Sequence, residues 1–166
     1  MTWGRDTDEH EAAEQLRVFL DNGGNFIDTA AVYGDGDSER VLGGFLGTLV
    51  QRDEVVIATK AGISFKTGER KVDNSRTSLL ADLDRSLARL GVDHVDLWQV
   101  HTWDNNVPLE ETLAAFGVTA RVADIERGPA ITRYELEPGP GVKVQKFTTL
   151  ANDIALAMRA SAVRIV

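Results

Sequence analysis

The chain has 166 residues, of which 43% are hydrophobic and 27% are charged, and its formal net charge is −8. It contains no Cys, which excludes disulfides, thiolate nucleophiles and Cys-ligated zinc, and its acidic balance argues against general binding to nucleic acid. No apolar run approaches the ~20 residues of a membrane span and no signal peptide is evident, so we expect a soluble, cytoplasmic protein.

The chain begins with a helix pattern, a short strand pattern and a second helix pattern. Asp8, with Glu11 three residues later, has the spacing of a capping box, and the apolar stripe that follows predicts a helix over about residues 8–22. Residues 25–29 are then expected to form a short strand. Ser38 is expected to cap the second helix, because Ser is among the preferred residues at that position.

Two further strand patterns and two helix patterns complete this alternation. Residues 55–59 are a β-branched apolar run, which is typical of a strand buried on both faces of a parallel sheet. A leucine stripe over residues 79–90 predicts a helix ended by Gly91, residues 94–100 read as a strand, and Pro108 suits the first turn of a helix. Strands that alternate with helices predict right-handed βαβ units and therefore an α/β fold.

After Gly117 both the pattern and the composition change. Residues 120–125 and 130–136 read as two strands joined by a hairpin-length connection, Thr149 can cap a helix, and residues 163–166 look like a final strand. The stretch through Gly117 carries 21 acidic and 11 basic side chains, a net −10, whereas the remainder carries 5 and 7, a net +2. This shift indicates two segments of different origin.

Three ionisable side chains occupy equivalent places at the ends of predicted strands, namely Asp28, Lys60 and His101. The carboxyl ends of parallel strands share one face, so these side chains should converge there. Tyr33 follows in the loop after Asp28; Tyr is a poor acid at neutral pH, but a nearby ammonium such as that of Lys60 favours its phenolate. With Asp28 holding Lys60 and with His101 orienting a carbonyl oxygen, the cluster suits proton delivery to a developing alkoxide.

Several short motifs carry a family resemblance. They are TWG (2–4), GGNFIDTA (23–30), VYG (32–34), ATK (58–60), RLGVDHVDL (89–97) and VH (100–101). Through them, residues 1–116 resemble the first half of an aldo-keto reductase, a (β/α)₈ barrel that transfers hydride from NADPH to aldehydes and ketones. The resemblance implies that Asp28, Tyr33, Lys60 and His101 form the catalytic tetrad, with Tyr33 as the general acid.

The parts of that family that bind the cofactor cannot be aligned after Phe116. Other motifs begin there, namely FGV (116–118), RGPAITRYEL (127–136), PGVKV (140–144), LANDIALA (150–157) and VRI (163–165). These resemble the small α/β region that precedes the motor of FtsK/SpoIIIE-type DNA translocases, and LEETL (109–113) fits that pattern too. A translocase also needs a phosphate-binding GxxxxGK[ST] loop, which this sequence lacks. We therefore expect neither parent activity to be complete.

The remaining aromatic and histidine side chains allow weaker inferences. Trp3 and Trp103 could line a substrate pocket, or they could bury apolar area around the strand ends, and the sequence leaves both interpretations open. His10, His94 and His101 do not have the spacing of metal ligands, so we predict no structural metal.

The predicted fold is α/β, with a parallel half-(β/α)₈-barrel sheet extended by a C-terminal β-hairpin, helix and strand. We expect residues 1–116 and 117–166 to pack into one domain. Half a barrel leaves open sheet edges and an uncovered apolar face, so we expect a homodimer, which could form by strand swapping, and not a monomer.

Three functions are consistent with the sequence. The first is an artificial or recombinant chimera that has no complete active site, no evolved activity and no bound cofactor. The second is a weak NADPH-dependent reductase of aldehydes or ketones that uses the tetrad. The third is a DNA-binding or interaction module, although we do not expect nucleic acid or a membrane to be the partner of so acidic a chain.

Overall fold

The structure is a computed structural model that describes residues 3–65, 68–128 and 132–150. Its helices and strands, in chain order, are α1 (Glu9–Asp21), β1 (Phe26–Asp28), α2 (Asp37–Phe45), β2 (Val56–Ala61), β3 (Ile63–Ser64), β4 (Lys71–Val72), α3 (Arg76–Leu90), β5 (Leu97–Val100), α4 (Leu109–Ala115), β6 (Ala120–Arg127), β7 (Thr132–Pro138) and α5 (Val144–Thr149). β1, β2 and β5 form a parallel sheet in the order β1-β2-β5. This arrangement confirms the predicted α/β partial barrel.

The ends of α1 and α3 follow the capping residues of the sequence, and the start of α2 does not. The Asp8 side chain accepts a hydrogen bond of 2.8 Å from the Glu11 amide at the start of α1, and α3 ends at Gly91 with a φ of 67°. Ser38 was expected to cap α2, but that helix begins at Asp37, directly after Gly36. Ser38 is instead buried, and its hydroxyl forms a hydrogen bond of 3.1 Å with the hydroxyl of Thr29.

The main core lies between the parallel sheet and the helices that cover it. Apolar side chains of α1, α2 and the central strand β2 form its largest cluster, whose buried members are Ala12, Leu16, Ile27, Val41, Leu42, Phe45, Val50, Val55, Ile57 and Leu90. Ile57 is fully buried, as is typical of a central strand in a parallel sheet. The core therefore holds β2 firmly, and β2 carries one of the predicted site residues.

The predicted hairpin forms, but it does not extend the parallel sheet. β6 and β7 pair antiparallel with each other, from Ala120 opposite Pro138 to Arg127 opposite Thr132, and make a sheet of their own. They dock on α4 instead, where Glu110 Oε1 accepts a hydrogen bond of 2.8 Å from the Val122 amide. The apolar face of α4 thus takes the contact that was expected at the edge of the parallel sheet.

The end of the described chain differs from the predicted helix start. Thr149 is the last residue of α5, and its hydroxyl donates to the carbonyl of Gln145 one turn back instead of capping a new helix. The helix expected after Thr149 and the strand expected at residues 163–166 lie outside the described residues. No helix among the residues that the structure describes is long and apolar enough to cross a membrane.

Candidate functional site

The parallel sheet brings three predicted site residues to one edge. Asp28 is the last residue of β1, Lys60 is next to last in β2, and His101 directly follows β5. The backbone fixes the relative heights of the strand ends, because the His101 amide donates to the carbonyl of Ala61 at 2.9 Å. The backbone therefore places Asp28, Lys60 and His101 at the same edge of the sheet, as predicted from the strand ends.

Lys60 makes the central contact of the site. Its Nζ donates to Asp28 Oδ2 at 2.5 Å and to the carbonyl of Thr29 at 2.9 Å. The Lys60 side chain is only 13% exposed, while that of Asp28 is 46% exposed. The nearly buried ammonium thus has two acceptors that fix its position, and its charge acts on the groups around it.

Tyr33 is carried by a turn that is bonded to the same strand. The Tyr33 amide donates to the carbonyl of Ala30 at 3.0 Å, and the Ala31 amide donates to the carbonyl of Lys60 at 3.0 Å. The Lys60 ammonium lies 5.3 Å from the centre of the Tyr33 ring. On its other side, the Tyr33 ring meets the His101 ring edge to face, with the ring centres 5.6 Å apart and an interplanar angle of 85°. The structure therefore brings together all four residues of the predicted tetrad.

The surroundings of His101 favour its neutral form. Burial lowers the pKa of its imidazole below the ordinary value, and the positive charges of Lys60 and Arg70 lower it further, against the opposing charge of Asp28. Nδ1 of His101 is buried and has no hydrogen-bond partner in the described part of the chain. A neutral imidazole can donate one N–H to an uncharged acceptor such as a carbonyl oxygen.

The two tryptophans expected near the site are occupied by other contacts. Trp3 Nε1 donates to Gln15 Oε1 at 2.8 Å, and the Trp3 ring packs edge to face on Phe45. Trp103 Nε1 donates to Asn105 Oδ1 at 2.9 Å, and its ring packs against two apolar clusters. Both rings thus bury apolar area near the strand ends, and a role in substrate binding stays a prediction.

One buried polar pair was missed in the sequence. Glu39 in α2 is fully buried, and its two carboxylate oxygens accept hydrogen bonds from Thr59 at 2.7 Å and from Arg89 at 3.0 Å. A signal was available, because Glu39 lies three residues before the buried Leu42 and so next to it on the helix face that carries the apolar stripe. A carboxylate on such a face requires a buried partner.

The described residues do not fit a dinucleotide. Phosphates favour a helix N-terminus with free amides, but α4, the helix after β5, has Glu110 and Glu111 in its first turn. Among the cations near the tetrad, Lys60 is bonded to Asp28 and Arg89 is bonded to Glu39. Arg70, whose charge reaches His101, is exposed. In the ranges that the structure covers, the four tetrad residues have no phosphate-binding cradle beside them.

Two family matches cover the chain, and they overlap over residues 96–118, which include the position where the composition changes. Residues 1–118 match the aldo/keto reductase family, and residues 96–166 match the FtsK alpha domain. The aldo-keto reductase YhdN of Bacillus subtilis is 40% identical over 110 residues, which are 66% of this chain and 33% of that protein. The DNA translocase FtsK of Clostridium tetani is 53% identical over 62 residues, which are 37% of this chain and 8% of that protein.

A solved structure agrees with the first of these matches. The holo form of aldo-keto reductase AKR11C1 from Bacillus halodurans has a TM-score of 0.61 and 34% identity, over 67% of this chain and 37% of that one. The chain thus spans about a third of the length of the reductases it resembles. Because the match over residues 1–118 covers more than half of its length, the chain belongs to the aldo/keto reductase family, with a segment of the FtsK alpha domain fused to the reductase segment.

Proposed function

We propose that this chain is a chimera that retains the carbonyl-binding, proton-donating half of a reductase site and does not by itself complete a reduction that uses NADPH. The observation that carries the proposal is the assembled cluster of Asp28, Tyr33, Lys60 and His101 on a three-stranded sheet. The chain continues from that sheet into an FtsK alpha segment, where a reductase would continue its barrel.

Each member of the cluster has a part in proton delivery under this proposal. The Tyr33 hydroxyl gives its proton to the carbonyl oxygen, and the Lys60 ammonium stabilises the negative phenolate that results. Asp28 keeps the ammonium in place through the 2.5 Å hydrogen bond. The neutral His101 ring donates a hydrogen bond to the same carbonyl oxygen and so stabilises its developing charge.

The missing part is the position of the hydride donor. Reductases of this family take their hydride from NADPH. Holding two reactants in line lowers a barrier by roughly 7–11 kcal/mol, and the described residues have no cradle that would hold a dinucleotide beside Tyr33. Without that contribution, proton delivery alone does not produce steady turnover.

A weak NADPH-dependent reductase is the second candidate, because the contacts of Lys60 with Asp28 and of Tyr33 with His101 are intact. Titration of the chain into NADPH, followed by nucleotide fluorescence, separates the two proposals. We expect no saturable change in fluorescence and no consumption of NADPH with an aromatic aldehyde. Saturable binding with turnover would favour the reductase.

Variants of the two tyrosines make that measurement specific. The chain has only two, so Tyr134→Phe on the distant hairpin is a matched control for Tyr33→Phe at the site. Turnover that Tyr33→Phe abolishes and Tyr134→Phe preserves would overturn the proposal of an incomplete site. A trace of turnover that is equal in the wild type and in both variants would come from elsewhere and would leave the proposal standing.

A further inference from the structure

Arg89 and Glu39 form a buried ion pair behind the tetrad. Arg89, in the last turn of α3, donates through Nη1 to Glu39 Oε2 at 3.0 Å, and the side chains are 16% and 0% exposed. The other oxygen of Glu39 accepts from the Thr59 hydroxyl at 2.7 Å. Thr59 directly precedes Lys60 in β2, and side chains that follow each other in a strand point to opposite faces. One strand therefore carries both the anchor of the ion pair and the ammonium of the site.

The same guanidinium reaches the turn that carries Tyr33. Arg89 Nη1 also donates to the carbonyl of Ala31 at 3.3 Å. The amide of Ala31 donates in the opposite direction, to the carbonyl of Lys60 at 3.0 Å. Ala31 lies two residues before Tyr33, so the start of the turn is held from the sheet on one side and from α3 on the other.

Arg89 also touches the far end of that turn. Gly36, three residues after Tyr33, has a φ of 94°, and a Cβ placed on it would lie 2.4 Å from Arg89 Cζ. The guanidinium therefore lies directly against the backbone of Gly36, where only a glycine leaves room for it. Contacts at Ala31 and at Gly36 enclose the segment between them.

We propose that Arg89, held in place by Glu39, is a positioning residue for Tyr33. It sets the turn so that the phenol ring meets the His101 ring edge to face. The chemical role of Tyr33 rests on the proposed function above, whereas the position of its ring does not depend on it. The test therefore measures position, and its outcome is independent of whether the chain turns over any substrate.

The experiment measures proton cross-relaxation between the Tyr33 and His101 rings by NMR. A Tyr134→Phe background leaves Tyr33 as the only tyrosine, which makes its ring signals unambiguous. Arg89→Lys keeps a cation beside Glu39 but loses the planar group that spans Glu39, Ala31 and Gly36. A second variant, Glu39→Gln with Arg89→Met, removes both charges together, so that no unpaired charge is left buried.

The matched control is Arg52→Lys. Arg52 donates to Asp96 at 2.7 Å and to the carbonyl of Val55 at 2.9 Å, at the opposite end of the same sheet. We expect the Tyr33–His101 cross peak to fall below half its intensity in both Arg89 variants and to stay unchanged in Arg52→Lys. A cross peak of full strength in Arg89→Lys would overturn the proposal. An equal loss in Arg52→Lys would overturn it too, because the effect would then be one of general stability.

Discussion

Lys60 shows why the chemistry of this site depends on a few buried contacts. The Lys60 side chain is only 13% exposed, so its ammonium needs acceptors within the protein, and Asp28 and the carbonyl of Thr29 supply them. Once held, the charge acts over a short range with little screening, on the Tyr33 ring and on the His101 imidazole. The electrostatic state of His101 is thus the most direct readout of the site.

We predict that His101 titrates below its ordinary pKa of about 6.5 and that Lys60→Met raises that pKa. Removal of the Lys60 charge takes away one lowering effect, while burial and Arg70 still lower the pKa and Asp28 still raises it. NMR titration of the three histidines measures it, with Arg85→Met on the exposed side of α3 as the control. A His101 pKa at or above the ordinary value of about 6.5 would contradict the lowering effect of burial.

The same shift makes stability depend on pH. Folding favours the neutral form of His101, because its pKa is lower in the folded chain than in the unfolded one. This contribution is complete above pH of about 6.5 and is lost as the pH falls through the lowered pKa. His101→Gln should therefore flatten the dependence of the free energy of unfolding on pH in that window.

The position of a single residue can be predicted from the sequence when one geometric rule determines it. Asp28, Lys60 and His101 could be found because parallel strands end on a common face. The partners of Ser38 and Glu39 could not be found, because Thr29 and Thr59 lie outside α2 and no local pattern identifies them. The capping preference of Ser predicted that Ser38 would cap α2. In the structure Ser38 is buried and is hydrogen-bonded to the hydroxyl of Thr29.

At the scale of elements, α4 connects the two parts of the chain. Leu109 and Leu113 of α4 form a buried cluster with Val118 and with Phe147 of α5. Residues 96–118, which include α4, belong to both family matches. The apolar residues of α4 fit the sequence patterns of both families. Its apolar face can therefore pack against the segment that follows it, and the hairpin docks there without joining the parallel sheet.

Leu113→Ala tests this role of α4. Leu113 is 3% exposed, so its truncation should lower the free energy of unfolding by about 2–5 kcal/mol. Hydrogen exchange should quicken at the amides of β6 and β7 before it quickens in β2, because the hairpin loses its support first. Val144→Ala, at a side chain that is 59% exposed, is the control and should change the free energy of unfolding little. Equal exchange in the hairpin and β2 would show that the two unfold as one unit.

The types of the elements were predictable and their docking was not. Periodicity identified β2, α3 and the two strands of the hairpin, because each of these segments carries its own apolar pattern. Which surface the hairpin covers depends on the hydrogen bond between Glu110 and Val122 and on the cluster around Leu113. Such contacts between distant residues leave no periodic trace in the sequence.

At the scale of the whole molecule, β1 leaves an apolar edge on the surface. Among the described residues β1 pairs with β2 alone, and beside it lies a pocket of about 370 Å³ lined in part by Trp3, Phe19 and Phe26. Phe19 is 39% exposed and Phe26 is 50% exposed. An exposed edge with adjacent aromatic side chains is a surface on which a strand and its apolar face can pack.

We predict that two copies of the chain associate through this edge. Light scattering during gel filtration should give twice the 18.1 kDa of one chain, and Phe26→Asp should return it to one. Phe65→Asp is the matched control, because Phe65 is also 50% exposed but lies on the loop after β3. The stretch through Gly117 carries a net charge of −10, so two copies repel each other and added salt should strengthen the dimer. A single-chain mass at every salt concentration, or equal effects of the two substitutions, would show that this edge does not join two copies.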